Sequence, residues 1–179
     1  MIIKTHYIIL NVYLLVKILQ IHLGSNDNKI VEEPLISFST KISQKDPDRQ
    51  TNITIACNSL NGYVVKAGET FSFCNILGPA RPEDGYKEAD TFDGDGNTIQ
   101  AYGGGKCQVS TTLYNAVLNV PGLTVVERHE HSGPVYYVPE DMDACVSYGS
   151  CDFKFRNDTA FDIKLYFSRK AISSADRAA

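Results

Sequence analysis

The sequence predicts an α+β fold: a single compact domain in which two main helices pack on a largely antiparallel sheet, with an N-terminal apolar segment ahead of it. Three observations lead there. Two stretches carry apolar residues at helical spacing and end in helix-stopping residues. Five short runs rich in Val, Tyr and Phe follow one another near the C-terminal end with turns between them, which favours antiparallel pairing. An unbroken apolar run opens the chain before a polar linker. With 43% hydrophobic and 21% charged residues among 179, the chain has the makeup of one globular domain plus short extras. Its net charge of −4 offers no basic surface for nucleic acid.

Residues 1–23 read as a signal or membrane anchor. Lys4 and His6 precede the apolar stretch Tyr7–Val16, the order of an export signal; Lys17 and Gln20 interrupt it and no small-x-small site follows. An uncleaved anchor and a poorly cleaved signal both fit, so an exported protein held at the membrane is expected. Residues 24–35 then form a linker, 36–167 the domain, and 168–179 a polar tail.

Inside the domain, Ile36–Thr40 alternates apolar and polar and reads as a first strand. Thr51–Leu60 reads as a helix with Ile53, Ala56 and Leu60 on one face, closed by Asn61-Gly62. Tyr63–Val65 and Phe71–Phe73 read as short strands around the turn Ala67-Gly68-Glu69. Gly78–Tyr86 is too rich in Gly and Pro for regular structure and reads as a functional loop. Its only cation, Arg81, suits a substrate carboxylate. Asp93–Asn97 lacks the bidentate Glu of a calcium loop and reads as a hairpin turn. The five C-terminal strands are Thr124–Arg128, Val135–Val138, Ala144–Tyr148, Asp152–Arg156 and Asp162–Phe167.

The second helix carries the chemistry. Val109, Leu113, Ala116, Val117 and Val120 form one stripe ended by Pro121-Gly122, which places Cys107 at the first turn. Unpaired N–H groups there favour a thiolate and suit an oxyanion. Gly103, Gly104 and Gly105 remove every Cβ ahead of the cysteine, so the backbone is free to take positive φ and to approach a ligand. Ser110, Thr111 and Tyr114 share the helix face of Cys107 and suit contact with substrate.

A thiol nucleophile needs a base. His129 and His131 differ by two positions at the end of a strand, so in extended backbone they share a face. Asp143 and Glu130 are the candidates to orient the imidazole. Zinc competes for the same residues, since Cys107, His129 and His131 are all suitable ligands. Their spacing matches no zinc signature, so no metal and no cofactor is expected. Of the five cysteines, Cys145 and Cys151 flank a turn in a register that argues against a bridge, and free thiols are expected. Asn52 and Asn157 open Asn-x-Thr sequons that matter only in a glycosylating host.

The run Gly103-Gly104-Gly105-Lys106-Cys107-Gln108-Val109-Ser110-Thr111-Thr112-Leu113-Tyr114-Asn115-Ala116 resembles the signature of the VanW domain family of bacterial envelope proteins. Further blocks agree in order across Ile36–Phe167, among them Ala67–Phe73, Glu127-Arg128, His131-Ser132, Tyr137-Val138-Pro139, Asp143-Ala144 and Asp152–Phe155. Cys74 and Cys145 stand where the family usually has Asn and Thr, and Cys151 where it usually has no cysteine.

The resemblance implies a place among accessory proteins of glycopeptide resistance. From clostridial members it also implies a peptidoglycan L,D-transpeptidase acting on tetrapeptide stems. In that reading Cys107 is the acylated nucleophile and His131, at the family position, the preferred base, with His129 second. The N–H groups around Cys107 and Gln108 form the oxyanion hole. The expected partners are peptidoglycan stem peptides, and the membrane through the N-terminal segment. A non-catalytic wall-binding or glycopeptide-binding accessory protein is the alternative.

Overall fold

The computed structural model describes residues 7–20, 29–42 and 46–172 of the chain. Two long strands, β1 (Tyr7–Gln20) and β2 (Lys29–Ile42), pair antiparallel and precede helix α1 (Pro47–Leu60). Asp46 caps α1, its carboxylate accepting from the N–H groups of Asp48 and Arg49, and Pro47 opens the helix at the position that needs no N–H. Strands β3 (Val64–Val65) and β4 (Thr70–Ser72) lead into the short helix α2 (Phe73–Leu77). A hairpin of β5 (Glu88–Phe92) and β6 (Thr98–Tyr102) precedes α3 (Lys106–Leu118), and β7 (Leu123–Glu127), β8 (Lys154–Asn157) and β9 (Ile163–Ile172) complete the order. Every pairing is antiparallel: β2-β1-β9-β3 in one sheet, β4-β8-β7 in a second, and the β5-β6 hairpin.

The apolar run expected to be a signal or anchor is, over Tyr7–Gln20, a strand in the middle of the four-stranded sheet. Leu10, Val12 and Leu14 lie on one face of it and are fully buried, and α3 packs on β1 and β2. Two paired neighbours satisfy its backbone, so a run apolar on both faces serves as an inner strand. Among the described residues no helix is long and apolar enough to cross a membrane. The linker expected at 24–35 belongs to β2 from Lys29 onward, and the expected tail continues β9 as far as Ile172. The remainder of these segments lies outside the described residues.

Two expected strands are absent. Val135–Val138 and Ala144–Tyr148 are irregular, the latter contributing only a bridge between Ser147 and Cys151. Helix α3 explains the second case, because all its residues but Cys107, Tyr114 and Leu118 are buried and its polar residues hold that segment by side-chain bonds instead of a ladder. Ser110 Oγ donates to the Ala144 carbonyl at 2.5 Å, Thr111 Oγ1 accepts from the Ala144 N–H at 2.9 Å, and Asn115 Nδ2 donates to the Met142 carbonyl at 2.7 Å. Buried hydroxyls and amide N–H groups must be bonded, and these are, while Asn115 Oδ1 has no partner. The apolar stripe of the same helix, Val109, Leu113, Ala116 and Val117, closes the core. The segment 142–146 is thereby locked beside Cys107.

Candidate active site

Cys107 occupies the second position of α3, behind Gly105, which takes φ +110° as the N-cap. The glycines serve packing more than open approach. A Cβ on Gly104 would lie 2.6 Å from the Ala89 carbonyl oxygen of β5, and one on Gly105 would lie 2.9 Å from Ile53 Cγ1 of α1. Only bare backbone lets the loop thread between them. Asn52, fully buried on α1, fastens it by donating to the Gly104 and Lys87 carbonyls and accepting the Lys87 N–H. Asn157 is equally buried, so neither sequon presents an accessible acceptor.

Around the half-buried sulfur of Cys107 three groups converge. The Val146 N–H points at Sγ from 3.4 Å. His131 and Cys145 each place one ligand-type atom so that these and Cys107 Sγ all lie within 4.8 Å of one another. His131 Nδ1 is 2.5 Å from Asp143 Oδ2, which leaves Nε2 as the ring atom for the sulfur. Asp143 is held in turn by Arg128, whose Nη2 donates to Oδ1 at 2.8 Å and whose Nε donates to the Asp143 carbonyl. The result is a line Cys107–His131–Asp143–Arg128.

The electrostatics follow the line. The Cys145 thiol beside it, with His131 and the Val146 N–H, holds the Cys107 thiol well below its ordinary value against the opposing effect of burial. The same contact and burial push Cys145 up. Burial works against charge on His131, yet its bonds to Cys107 and Asp143 outweigh it and raise the imidazole. Asp143 is lowered, His131 and Arg128 overcoming its desolvation. These directions favour negative charge on Cys107 and positive charge on His131, backed by a carboxylate.

The site opens into a cleft of about 680 Å³, walled by the hairpin, the glycine loop, and residues around His131 and Cys145. A smaller pocket of about 380 Å³ adjoins it, and Arg49 lines both. Lys106 reaches over the Tyr86 ring to donate to the Gly78 carbonyl at 3.0 Å, and burial lowers its ammonium.

Several expected site residues lie elsewhere. His129 bonds to Glu127 at 2.9 Å, and its carbonyl accepts the Cys145 N–H; it takes no place in the cleft wall. Glu130 pairs with Arg128, leaving Asp143 alone behind the imidazole. Ser110 and Thr111 are fully buried on the 142–146 segment, and Tyr114 packs against Phe153 under the Arg128 guanidinium, so none contacts the cleft. The cause is that helix spacing sets a common face without saying what covers it.

Gln108 is buried as well. Its side chain accepts from Arg49 and donates to Thr40 Oγ1 and the Lys41 carbonyl, and its N–H goes to the Gly105 carbonyl at 3.1 Å. The N–H available for an oxyanion is that of Cys107, which has no acceptor among the described residues. Arg81 is exposed at the mouth of the 3-10 turn Pro82–Asp84, outside the cleft wall. Sequence reasoning missed Arg49, Arg128 and Cys145; of these only Arg128, next to the paired histidines, carried a local signal.

All five cysteines are free, as expected. The metal-capable set among the described residues is Cys107, His131 and Cys145, not the pair of histidines.

No solved structure matches the chain. The uncharacterised protein YoaR of Bacillus subtilis is 38% identical over 128 residues, covering 72% of this chain and 42% of that protein. The vancomycin B-type resistance protein VanW of Enterococcus faecalis is 36% identical over 113 residues, covering 60% of this chain and 40% of that protein. The chain thus spans about two-fifths of the curated relatives it matches. The family described as VanW like protein matches residues 48–174, which include every residue of the cleft named above, and the chain belongs to that family.

Proposed function

We propose that the protein is a cysteine-dependent peptidoglycan L,D-transpeptidase working at the outer face of the cell envelope. The observation that carries this reading is that Cys107 and His131 line one cleft side by side, with Asp143 behind the imidazole. The name of the enterococcal relative, a vancomycin-resistance protein, supports the envelope setting.

The Cys107 thiolate attacks the carbonyl of the L-centre third residue of a tetrapeptide stem. The oxyanion that forms is met by the Cys107 N–H at the helix start. Collapse breaks the bond to the terminal D-Ala, whose nitrogen takes the proton from His131 Nε2, and a thioester remains on Sγ. The side-chain amine of a second stem then loses its proton to the same imidazole as it displaces the thiolate, giving a 3-3 cross-link. Asp143 keeps Nδ1 protonated throughout, and Arg128 keeps Asp143 ionised. Arg49, the cation shared by both pockets, receives the D-Ala carboxylate.

The test is incubation of the protein with a disaccharide-tetrapeptide, followed by mass spectrometry for D-Ala release and an acyl adduct on Cys107. Both are expected in wild type and neither in Cys107→Ala. Release by Cys107→Ala at the wild-type rate would remove the nucleophile. Saturable binding without release or adduct would leave a wall-binding module.

A further inference from the structure

We infer that Cys107, Cys145 and His131 form a reversible site for a thiophilic divalent cation of the zinc type, and that the bound ion masks Cys107. The binding stands on the donor set alone; the masking rests on the nucleophile reading above.

Two sulfurs and one imidazole nitrogen lie within 4.8 Å of one another. In a tetrahedral zinc site, bonds of about 2.3 Å to sulfur and about 2.0 Å to nitrogen put such ligand atoms roughly 3.5–3.8 Å apart. The three donors come from three places: the start of α3, the residue two before Gly133, and the segment that Ser110, Thr111 and Asn115 lock against α3. Their mutual position is therefore set by the core.

The support behind them is of the kind metal-bound histidines have. Asp143 Oδ2 sits on His131 Nδ1 at 2.5 Å, fixing the tautomer with Nε2 free for an ion, and Arg128 anchors that carboxylate. The cluster faces the cleft, so a water completes the fourth position. The cation nearest in sequence, Lys106, is bonded away to the Gly78 carbonyl. Binding one ion displaces two protons, the one held by the Cys107–His131 pair and the one on Cys145, and yields a site neutral overall, two thiolates and a neutral imidazole against a dication. A thiolate that shares a lone pair with the metal attacks a carbonyl far more slowly.

The experiment titrates zinc chloride alone into the full chain, stripped with EDTA and kept reduced with a phosphine, against a chromophoric chelator. Cobalt(II) serves as the spectroscopic probe. One ion per chain is expected, with intense visible bands of tetrahedral cobalt and thiolate-to-cobalt charge transfer. Cys145→Thr and His131→Ala should each weaken zinc at least 10–100-fold, the scale known for losing even a supporting group. Circular dichroism of both variants checks that they fold. One equivalent of zinc should slow iodoacetamide labelling of wild-type Cys107 about tenfold or more, with EDTA restoring it.

Equal zinc affinity in wild type and in a folded Cys145→Thr, octahedral cobalt spectra, or no binding at all would overturn the site. The titration uses no peptide, and D-Ala release is measured on the stripped protein, so either proposal can fail while the other stands.

Discussion

His131 and Asp143 meet twice: Oδ2 of the aspartate lies 2.5 Å from Nδ1 of the ring and accepts the backbone N–H of the same histidine at 2.7 Å. One oxygen thus fixes the rotamer and the tautomer together. In Asp143→Asn the amide keeps the shape, but its NH₂ cannot accept from Nδ1–H, and the tautomer with Nε2 protonated is favoured. Release of D-Ala should fall about 10³–10⁴-fold, by analogy with the same substitution in serine triads. Loss of less than tenfold in a folded variant would show that Asp143 is only structural.

The two histidines separate cleanly by geometry. His131 touches the sulfur, whereas His129 bonds to Glu127 at the surface side of β7. His131→Ala should slow iodoacetamide labelling of Cys107 near neutral pH by about tenfold or more. His129→Ala should leave it within a factor of about two. The reverse ranking would move the base.

Much of this site was legible in the sequence, for identifiable reasons. The apolar stripe of α3 announced both the helix and its start, hence the position of Cys107, and the His-x-His spacing narrowed the imidazole beside it to two residues. What stayed hidden is whatever depends on long-range packing. Cys145 reaches Cys107 because Ser110, Thr111 and Asn115 bind backbone 27 to 34 residues away, and such bonds leave no periodic trace. The same burial of α3 turned expected substrate contacts into internal fastenings. Tyr7–Gln20 was hard to read as a strand because its half-buried face, with Tyr13 and Leu15, is nearly as apolar as the face that buries Leu10, Val12 and Leu14, so the strict alternation of a strand is missing. The glycines were visible, but that β5 and α1 crowd them was not.

That crowding is testable at Gly104. An alanine there would press its Cβ to 2.6 Å from the Ala89 oxygen and 2.8 Å from the Asp90 oxygen, both main-chain atoms of the hairpin that walls the cleft. Gly104→Ala should cost about 1–3 kcal/mol and slow Cys107 labelling as the wall shifts. Gly62→Ala, at φ +85° with nothing within 4 Å, should cost about 1–2 kcal/mol for its backbone alone and leave labelling unchanged. Unaltered labelling in both would detach the glycine loop from the site.

Arg49 bonds to Gln108 and borders both pockets, so loss of its charge should be felt by one part of a substrate. In Arg49→Gln, KM for a tetrapeptide with a free terminal carboxylate should rise about tenfold or more, the scale of one charge-assisted hydrogen bond. A stem with an amidated terminus should show no such change. Equal effects on both would mean that Arg49 only supports Gln108.

Cys57, on the core face of α1, gives a test of the fold that is independent of the cleft. Burial pushes its thiol from 9.0 up to about 12, with Arg169 opposing weakly. Between those values the folded chain keeps a proton that the unfolded chain gives up, so unfolding is favoured as pH rises. Stability should therefore fall with a slope contribution approaching about 1.4 kcal/mol per pH unit above pH 9. Below pH 9 the contribution is fully present. Cys57→Ala leaves a small void that lowers stability at every pH, but it removes this slope. Raised tyrosines such as Tyr63 and Tyr86 titrate alike in both proteins and cancel in the comparison. Urea unfolding across the window measures the difference. If wild type and Cys57→Ala lose stability in parallel, the thiol ionises as freely in the folded chain as in water, and the packing of α1 against the sheet is looser than described.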